Sequence, residues 1–354
     1  MRCGIGNLLL WKESGMKRGL TTGLPLLLTF VLLVCSAAST ARAAAAPDIP
    51  LPAGGNVEAV KKLPEKPLRL AFLTFQSNPF FLQIRDGAML ATKYLANFNA
   101  TVDYIVMGED LTTDLVIAGM ENAVAMEYDG ISVLPVFDGT DVLINKAVDA
   151  GIEVITYVAE GTIPGKRFAF LGQDAYSAGQ VAGREIEKYT GGQGKIGVIT
   201  GVFGAVQHEA RMKGALDYLK EKCPEIEVIG IVENRDQAQI AYSQAMDMMT
   251  AHPELKLVYV TAGGPFGVAQ AIQEKGLTGK MGVVAYDHTP ENLEYVYSGE
   301  IVVAISQDPV GQGFDSLVML YNHLVDGTTY PDFIPVNNIV VTPETVVEMH
   351  GPKK

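Results

Sequence analysis

The sequence predicts an α/β protein built on two doubly wound parallel sheets, and three observations carry that reading. Short runs rich in Val and Ile alternate with amphipathic stretches from Leu68 onward, the pattern of repeated βα units with helices on both faces of a sheet. The runs are apolar throughout instead of alternating, as strands buried on both faces are. About ten of them fall in some 270 residues, more than one open sheet usually holds, so two sheets are the better division.

Taken in order, the chain opens on a segment with secretory character. An apolar run at 24–34 follows Lys17 and Arg18 and precedes Ala41-Arg42-Ala43. Charge, apolar run and small residues at alternate positions make a signal peptide of residues 1–43, cleaved after Ala43, with Met16 a better start than Met1. The run is short for a membrane span. Cys35 is a poor lipidation site because the bulky Val34 stands before it. Residues 44–67, rich in Ala, Pro and Gly without periodicity, read as a tether.

Strands are expected at 68–73, 102–107, 130–136, 153–158, 169–171, 195–200, 227–232, 257–260, 282–285 and 302–306. Helices are expected at 82–95, 111–126, 141–150, 176–189, 208–223, 238–250, 265–274 and 312–324. Gly151 and Gly276 stand just past two of these helices, where a left-handed residue commonly ends a helix.

Composition narrows the function. The chain carries 27 basic and 40 acidic residues, a net charge of −13. The 1–43 segment holds five of the basic residues and one acid (Arg2, Lys12, Lys17, Arg18, Arg42; Glu13), so the remainder is more acidic still. Such a chain is a poor nucleic-acid binder and a poor ligand for anionic lipid. Beyond residue 43 only Cys223 remains, so no internal disulfide can form. The histidines at 208, 252, 288, 323 and 350 lack metal-ligand spacing, although His208 and His288 stand next to candidate ligand residues. Neither a phosphate-binding GxxxxGK[ST] loop nor a GxSxG elbow occurs. Gly191-Gly192-Gln193-Gly194 precedes a strand instead of following one, so it reads as a turn. No catalytic residue, metal or cofactor is expected.

The most informative stretch is Asn78-Pro79-Phe80-Phe81, at the carboxyl end of the first strand, where open α/β sheets bind ligands. Two aromatic faces beside an amide suit a sugar; the same two Phe could equally enter the core of a strand-to-helix turn. Further motifs follow in order: Asp129 to Pro135, Ala150 to Thr156, Gly172-Gln173-Asp174 with Gly179 to Gly183, Glu209 to Gly214, Ala285-Tyr286-Asp287, and Ser306-Gln307-Asp308-Pro309.

As an ordered set these motifs resemble the periplasmic sugar-binding proteins of the ribose/galactose type, relatives of the ligand domains of LacI-type repressors. The resemblance covers residue 68 to about 347. It implies a type I periplasmic binding protein fold: two Rossmann-like lobes joined by a three-stranded hinge. The lobes would comprise 68–170 plus 308–336 and 171–307 plus 337–350. It implies ligand contacts at Thr74, Asn78, Phe80, Phe81, Arg211, Asp236, Tyr286, Asp287 and Gln307.

Each has a plainer alternative. Arg211 could pair with an acid on its own helix, Asp287 could cap the helix starting near Pro290, Gln307 could be a solvated hinge residue, and Tyr286 could be core. Two departures stand out. The Asp-Arg pair common at the end of the fourth strand is replaced by Val158-Ala159, with Glu160 next. The Asn-Asp turn after a later strand is replaced by Thr261 to Gly267, in which Phe266 could add an apolar wall.

The resemblance thus implies a monomeric, periplasmic receptor that captures a small neutral polyol of monosaccharide size and delivers it to an inner-membrane ABC permease. A sensory co-receptor of a histidine kinase or chemoreceptor is the alternative. An enzyme or a DNA-binding repressor is disfavoured.

Overall fold

The computed structural model describes residues 46–353; the expected signal run, Cys35 and the cleavage site lie outside them. β1 (Leu68–Phe75), α1 (Phe80–Leu95), β2 (Ala100–Gly108), α2 (Thr113–Ala125), β3 (Gly130–Val133), α3 (Asp141–Asp149), β4 (Glu153–Val158) and β5 (Ala169–Gly172) come first. There follow α4 (Ala175–Thr190), β6 (Gln193–Thr200), α5 (Val206–Lys222), β7 (Glu225–Glu233), α6 (Ala238–Ala251), β8 (Leu255–Val260), α7 (Pro265–Glu274), β9 (Gly282–Tyr286), α8 (Pro290–Ser298) and β10 (Ile301–Ser306). The chain ends on α9 (Pro309–Asp326), β11 (Phe333–Pro335), β12 (Ile339–Val341) and α10 (Val346–His350).

Two six-stranded sheets form, in the orders β11-β5-β4-β3-β1-β2 and β12-β10-β9-β8-β6-β7. All pairings are parallel except β10 with β12. Both sheets are wound outward from a switch point, β1/β3 in one lobe and β6/β8 in the other, and such points open a crevice at the carboxyl ends of the strands. The strands form as read because β3 and β9 are buried along their whole length. β3 stops at Val133, short of the expected 136; Leu134 and Val136 instead sit in the following turn.

The chain passes from the first sheet to the second after β5, at Gln173. That sheet still includes Gly172, two residues beyond the 170/171 boundary read from the sequence. It returns after β10, at Gln307-Asp308, and passes again between β11 and β12. Gly151 and Gly276 do adopt positive φ past their helices (85° and 66°). Two helix pairs pack backbone to backbone. A Cβ on Gly87 of α1 would stand 2.0 Å from the Val310 carbonyl oxygen of α9, and one on Gly179 of α4 would stand 2.1 Å from that of Arg211 in α5. These close crossings fix the helices that carry the site.

Residues 46–67, read from the sequence as a tether, lie against the first lobe. Ala59 joins its core, with Leu51, Val57, Val60 and Leu63 packed alongside. The Asn56 and Val57 amides donate to the Asp315 carboxylate (2.8 and 3.0 Å), and Val60 donates to Asn322 (2.8 Å). The strap is irregular, so its apolar residues have no period to reveal them.

Candidate functional site

Between the lobes lies a small, largely filled cavity. The wall residues come from the carboxyl ends of strands, the turns after them and the first turns of the helices that follow. The first lobe gives Asn78, Phe80 and Phe81 after β1, Leu111 after β2, Leu134 and Val136 after β3, and Val158-Ala159 at the end of β4. The second gives Gln207, His208 and Arg211 after β6, Asp236 after β7, Ala262-Gly263 after β8, and Asp287 after β9; Gln307 enters from the second crossover.

The lobes are closed on each other. Phe137 and Ala205 form an isolated antiparallel bridge, and the Val206 amide donates to the Val136 carbonyl (3.2 Å). The Gln83 amide reaches the His288 carbonyl (3.1 Å). A Cβ on Gly263 would stand 2.7 Å from Asn78 Nδ2, so the glycine in the departing turn serves the approach of the facing lobe's amide.

Arg211 is the most heavily braced side chain. It is 2 % exposed, and its Cζ lies 3.9 Å from the centroid of the Tyr286 ring. Its Nε and Nη2 both donate to Gln173 Oε1 (2.9 and 2.6 Å), and Nη1 donates to the Thr261 carbonyl (3.1 Å). No acid on its own helix pairs with it. Gln173 in turn donates to Asn338 Oδ1 (2.7 Å), so the guanidinium is tied to the first and third crossovers together. Gln307 Nε2 donates to Asp287 Oδ1 (3.0 Å), and Gln207 Nε2 to Gln307 Oε1 (3.1 Å). The second crossover therefore holds the carboxylate.

Burial pushes the Asp287 carboxyl up to about 6, against the pull of Arg211 and the Gln307 bond, with Asp236 adding to the rise. Asp236 Oδ1 accepts from the Gly263 amide (2.9 Å). Burial also lowers the His208 imidazole below its usual range, Asp236 opposing and Arg211 reinforcing. Its Nδ1 accepts from the Val202 amide (3.2 Å), so in the neutral ring the proton sits on Nε2 as a free donor.

Three wall residues hold left-handed backbone without being glycine: Val158 (φ 65°), Asp236 (61°) and Asp287 (70°). For a β-branched residue this is an outlier, and such strain gathers at binding sites. At Val158 the chain makes a γ-turn, the Ala159 amide donating back to the Tyr157 carbonyl (2.7 Å). Gln312 Oε1 accepts from the Val158 amide (3.0 Å), while its own Nε2 donates to the Gln307 carbonyl (2.6 Å).

Seven of the nine expected residues line this one cavity: Asn78, Phe80, Phe81, Arg211, Asp236, Asp287 and Gln307. Two do not. Thr74 is wholly buried in β1, its hydroxyl turned to the Phe75 carbonyl (3.4 Å). Tyr286 is buried beneath Arg211, its hydroxyl 3.1 Å from that of Tyr259. Tyr286 is the last residue of β9 and packs into the lobe's core, whereas Asp287 lies past the strand in left-handed backbone and lines the cleft. The helix after β9 is capped by Thr289, which accepts from the Asn292 amide (3.3 Å), and not by Asp287.

Glu160 does not replace the missing clamp. It accepts two bonds from Arg167 (2.9 and 2.8 Å) and one from Thr156 (2.6 Å), away from the cavity. Phe266 lines a separate outer depression. Sequence reasoning omitted Gln207, and helical spacing could have found it: Gln207 is four residues before Arg211 on α5, and His208 three. Among the described residues no group of His, Cys, Asp and Glu could hold a metal ion.

The periplasmic binding protein domain family matches residues 71–329. The chain belongs to that family. Among curated relatives, the D-allose-binding periplasmic protein of Escherichia coli is 26% identical over 281 residues, 75% of this chain and 89% of that protein. The ribose import binding protein RbsB of Escherichia coli is 25% identical over 248 residues, 66% and 76%. A solute-binding protein of an ABC transporter from Burkholderia graminis, crystallised with D-arabinose, superposes with a TM-score of 0.74 at 24% identity, covering 82% of this receptor and 99% of that chain. The fold is that of a type I periplasmic binding protein. The family consists of extracytoplasmic transport receptors and not enzymes. Among the described residues no helix of this receptor is long and apolar enough to cross a membrane.

Proposed function

We propose that this receptor captures a small neutral polyol of monosaccharide size in the periplasm and delivers it to an ABC permease of the inner membrane. The observation that carries the reading is the cavity at both switch points, where an aromatic pair faces a cation, two carboxylates and three neutral hydrogen-bonding side chains. Carboxylates accept from vicinal hydroxyls, the guanidinium donates to ring and hydroxyl oxygens, and the phenyl faces cover C–H surface. The sugar-binding relatives named above support the same class, and the import role of one favours a permease over a sensory partner.

Capture works by closure. A ligand touching Asn78 and the two Phe on one side and Arg211 and Asp287 on the other stabilises the closed state over the open one. The lobes turn about the crossovers at Gln173, Gln307 and Asn337-Asn338. Because Arg211 and Asp287 are bonded to Gln173 and Gln307, ligand contact is transmitted directly to that hinge. The acidic receptor acts as a monomer and does not bind nucleic acid. It is exported by the 1–43 signal and begins at Ala44, without lipid on Cys35; N-terminal sequencing of protein from its native host checks this, and a modified Cys35 would contradict it.

Mass spectrometry of small molecules released from purified, denatured receptor tests the function, with a thermal-shift screen of pentoses, hexoses, deoxyhexoses and inositols beside it. A released polyol and a rise in melting temperature with at least one of them are expected. No polyol released and no shift across the panel would overturn the reading.

A further inference from the structure

The two halves of the cavity offer a ligand different side-chain chemistry. On the first lobe the wall is Phe80, Phe81, Leu134, Val136, Val158 and Ala159, with Leu111 beside them and Asn78 the one polar side chain. Asn78 Oδ1 accepts from the Phe80 amide (2.9 Å) and its Nδ2 donates to Ser77 Oγ (3.4 Å), so one amide hydrogen is its main remaining donor. Three main-chain groups there are engaged: the Val136 carbonyl with Val206, the Val158 amide with Gln312, and the Ala159 amide with Tyr157. Thr74, the nearest hydroxyl in sequence, is sealed in β1. The larger bonding capacity left over is on the second lobe: the second carboxylate oxygens of Asp236 and Asp287, the remaining guanidinium hydrogens of Arg211 and the Nε2 of His208. No aromatic residue from the second lobe lines the cavity, so a ring is not stacked from that side.

We propose that the ligand meets the first lobe with a hydroxyl-free end, so that the cavity selects a deoxy or methyl-capped polyol over its fully hydroxylated counterpart. This rests on the polyol reading above and sharpens it. A hydroxyl driven against Leu134, Val136, Val158 and Ala159 loses its water and finds no side-chain partner there. A methyl or methylene in the same place gains apolar contact. The opposite edge carries the hydroxyls that Asp236, Asp287 and Arg211 require.

Calorimetry on the full mature receptor with three matched pairs tests this: L-fucose against L-galactose, L-rhamnose against L-mannose, and 6-deoxy-D-glucose against D-glucose. The deoxy member should bind at least tenfold more tightly in at least one pair. Val136→Thr, which keeps the shape and adds a hydroxyl, should cut that preference to threefold or less while the melting temperature holds within a few degrees. The released ligand should contain fewer oxygens than carbons. Equal or tighter binding of the hydroxylated member in every pair that binds, or a released ligand with as many oxygens as carbons, overturns the selectivity and leaves the polyol reading standing. No binding of these six sugars together with no polyol released overturns both.

Discussion

The first lobe's wall is apolar and takes its shape from a strained turn; the second lobe's wall is charged and takes its position from the hinge. Val158 is held in left-handed backbone by Gln312, and its neighbours contribute only hydrocarbon. Arg211 and Asp287 are each anchored by a crossover glutamine. The contrast separates two tasks that many sites mix. One wall sets which surfaces are tolerated, through shape and the cost of stranding a polar group. The other supplies directional bonds and converts them into closure.

The largest effect should come from removing the second wall's only cation. Arg211→Ala leaves two buried carboxylates without compensation and frees Gln173 from its partner. Loss of one member of a buried charged set costs roughly 2–5 kcal/mol, so calorimetry should find binding of the tightest sugar reduced by more than thirtyfold. Binding within threefold of the parent would show that the guanidinium braces the hinge without gripping ligand.

Next is a pH effect at Asp287. Its carboxyl titrates near 6 in the folded receptor, against 3.8 as the ordinary value, chiefly because it is buried. Well below pH 3.8 it is neutral in both folded and unfolded chains and costs nothing. As pH rises from about 4 to 6 the unfolded chain ionises while the folded one resists, so stability is lost across that window and levels off once the folded carboxyl ionises. Asp287→Asn removes the liability. In chemical denaturation without ligand, the variant's advantage should be smallest at the acid end, below pH 3.8, and grow to about 3 kcal/mol by pH 7. A gap that does not change with pH would contradict the burial account.

On the first wall, Phe81→Ala should weaken binding by roughly 1–3 kcal/mol, the worth of one aromatic contact surface. Phe81 also packs edge-on against Phe75 and Phe80, so a lower melting temperature should accompany the loss. Unchanged affinity in a folded variant would make the pair core alone. The smallest effect on affinity belongs to Glu160→Ala. Its bonds go to Arg167 and Thr156, so stability should fall by about 1.5–3 kcal/mol while affinity moves by less than twofold. A tenfold loss of affinity would put Glu160 back in the site.

The same two walls show what was legible in the sequence. The βα repeat was, because parallel strands buried on both faces leave unbroken Val and Ile runs. β11 and β12 were not, since three-residue edge strands carry no pattern. Seven of the expected residues line the one cavity, and the resemblance carried by the ordered motifs pointed to them. Thr74 and Tyr286 failed for one reason: both lie inside a strand and are sealed by its packing, while Asn78 and Asp287 lie past the strand ends. Gln207 was within reach of helical spacing. The apolar character of Val158-Ala159 was visible as a missing clamp, but only the fold shows Glu160 turned away to Arg167 and Asn78 left as the wall's one polar side chain.

The most direct test of the two-wall account is Asp287→Ala, followed by calorimetry and small-angle scattering with the tightest sugar of the panel. The parent's radius of gyration should shrink on binding. In the variant, with the acceptor gone, affinity should fall at least tenfold, or roughly 1.5–3 kcal/mol for a lost charged hydrogen bond, and closure at fixed ligand concentration should fall with it. Near-parental affinity and closure would contradict the assignment of the cavity between the lobes as the binding site.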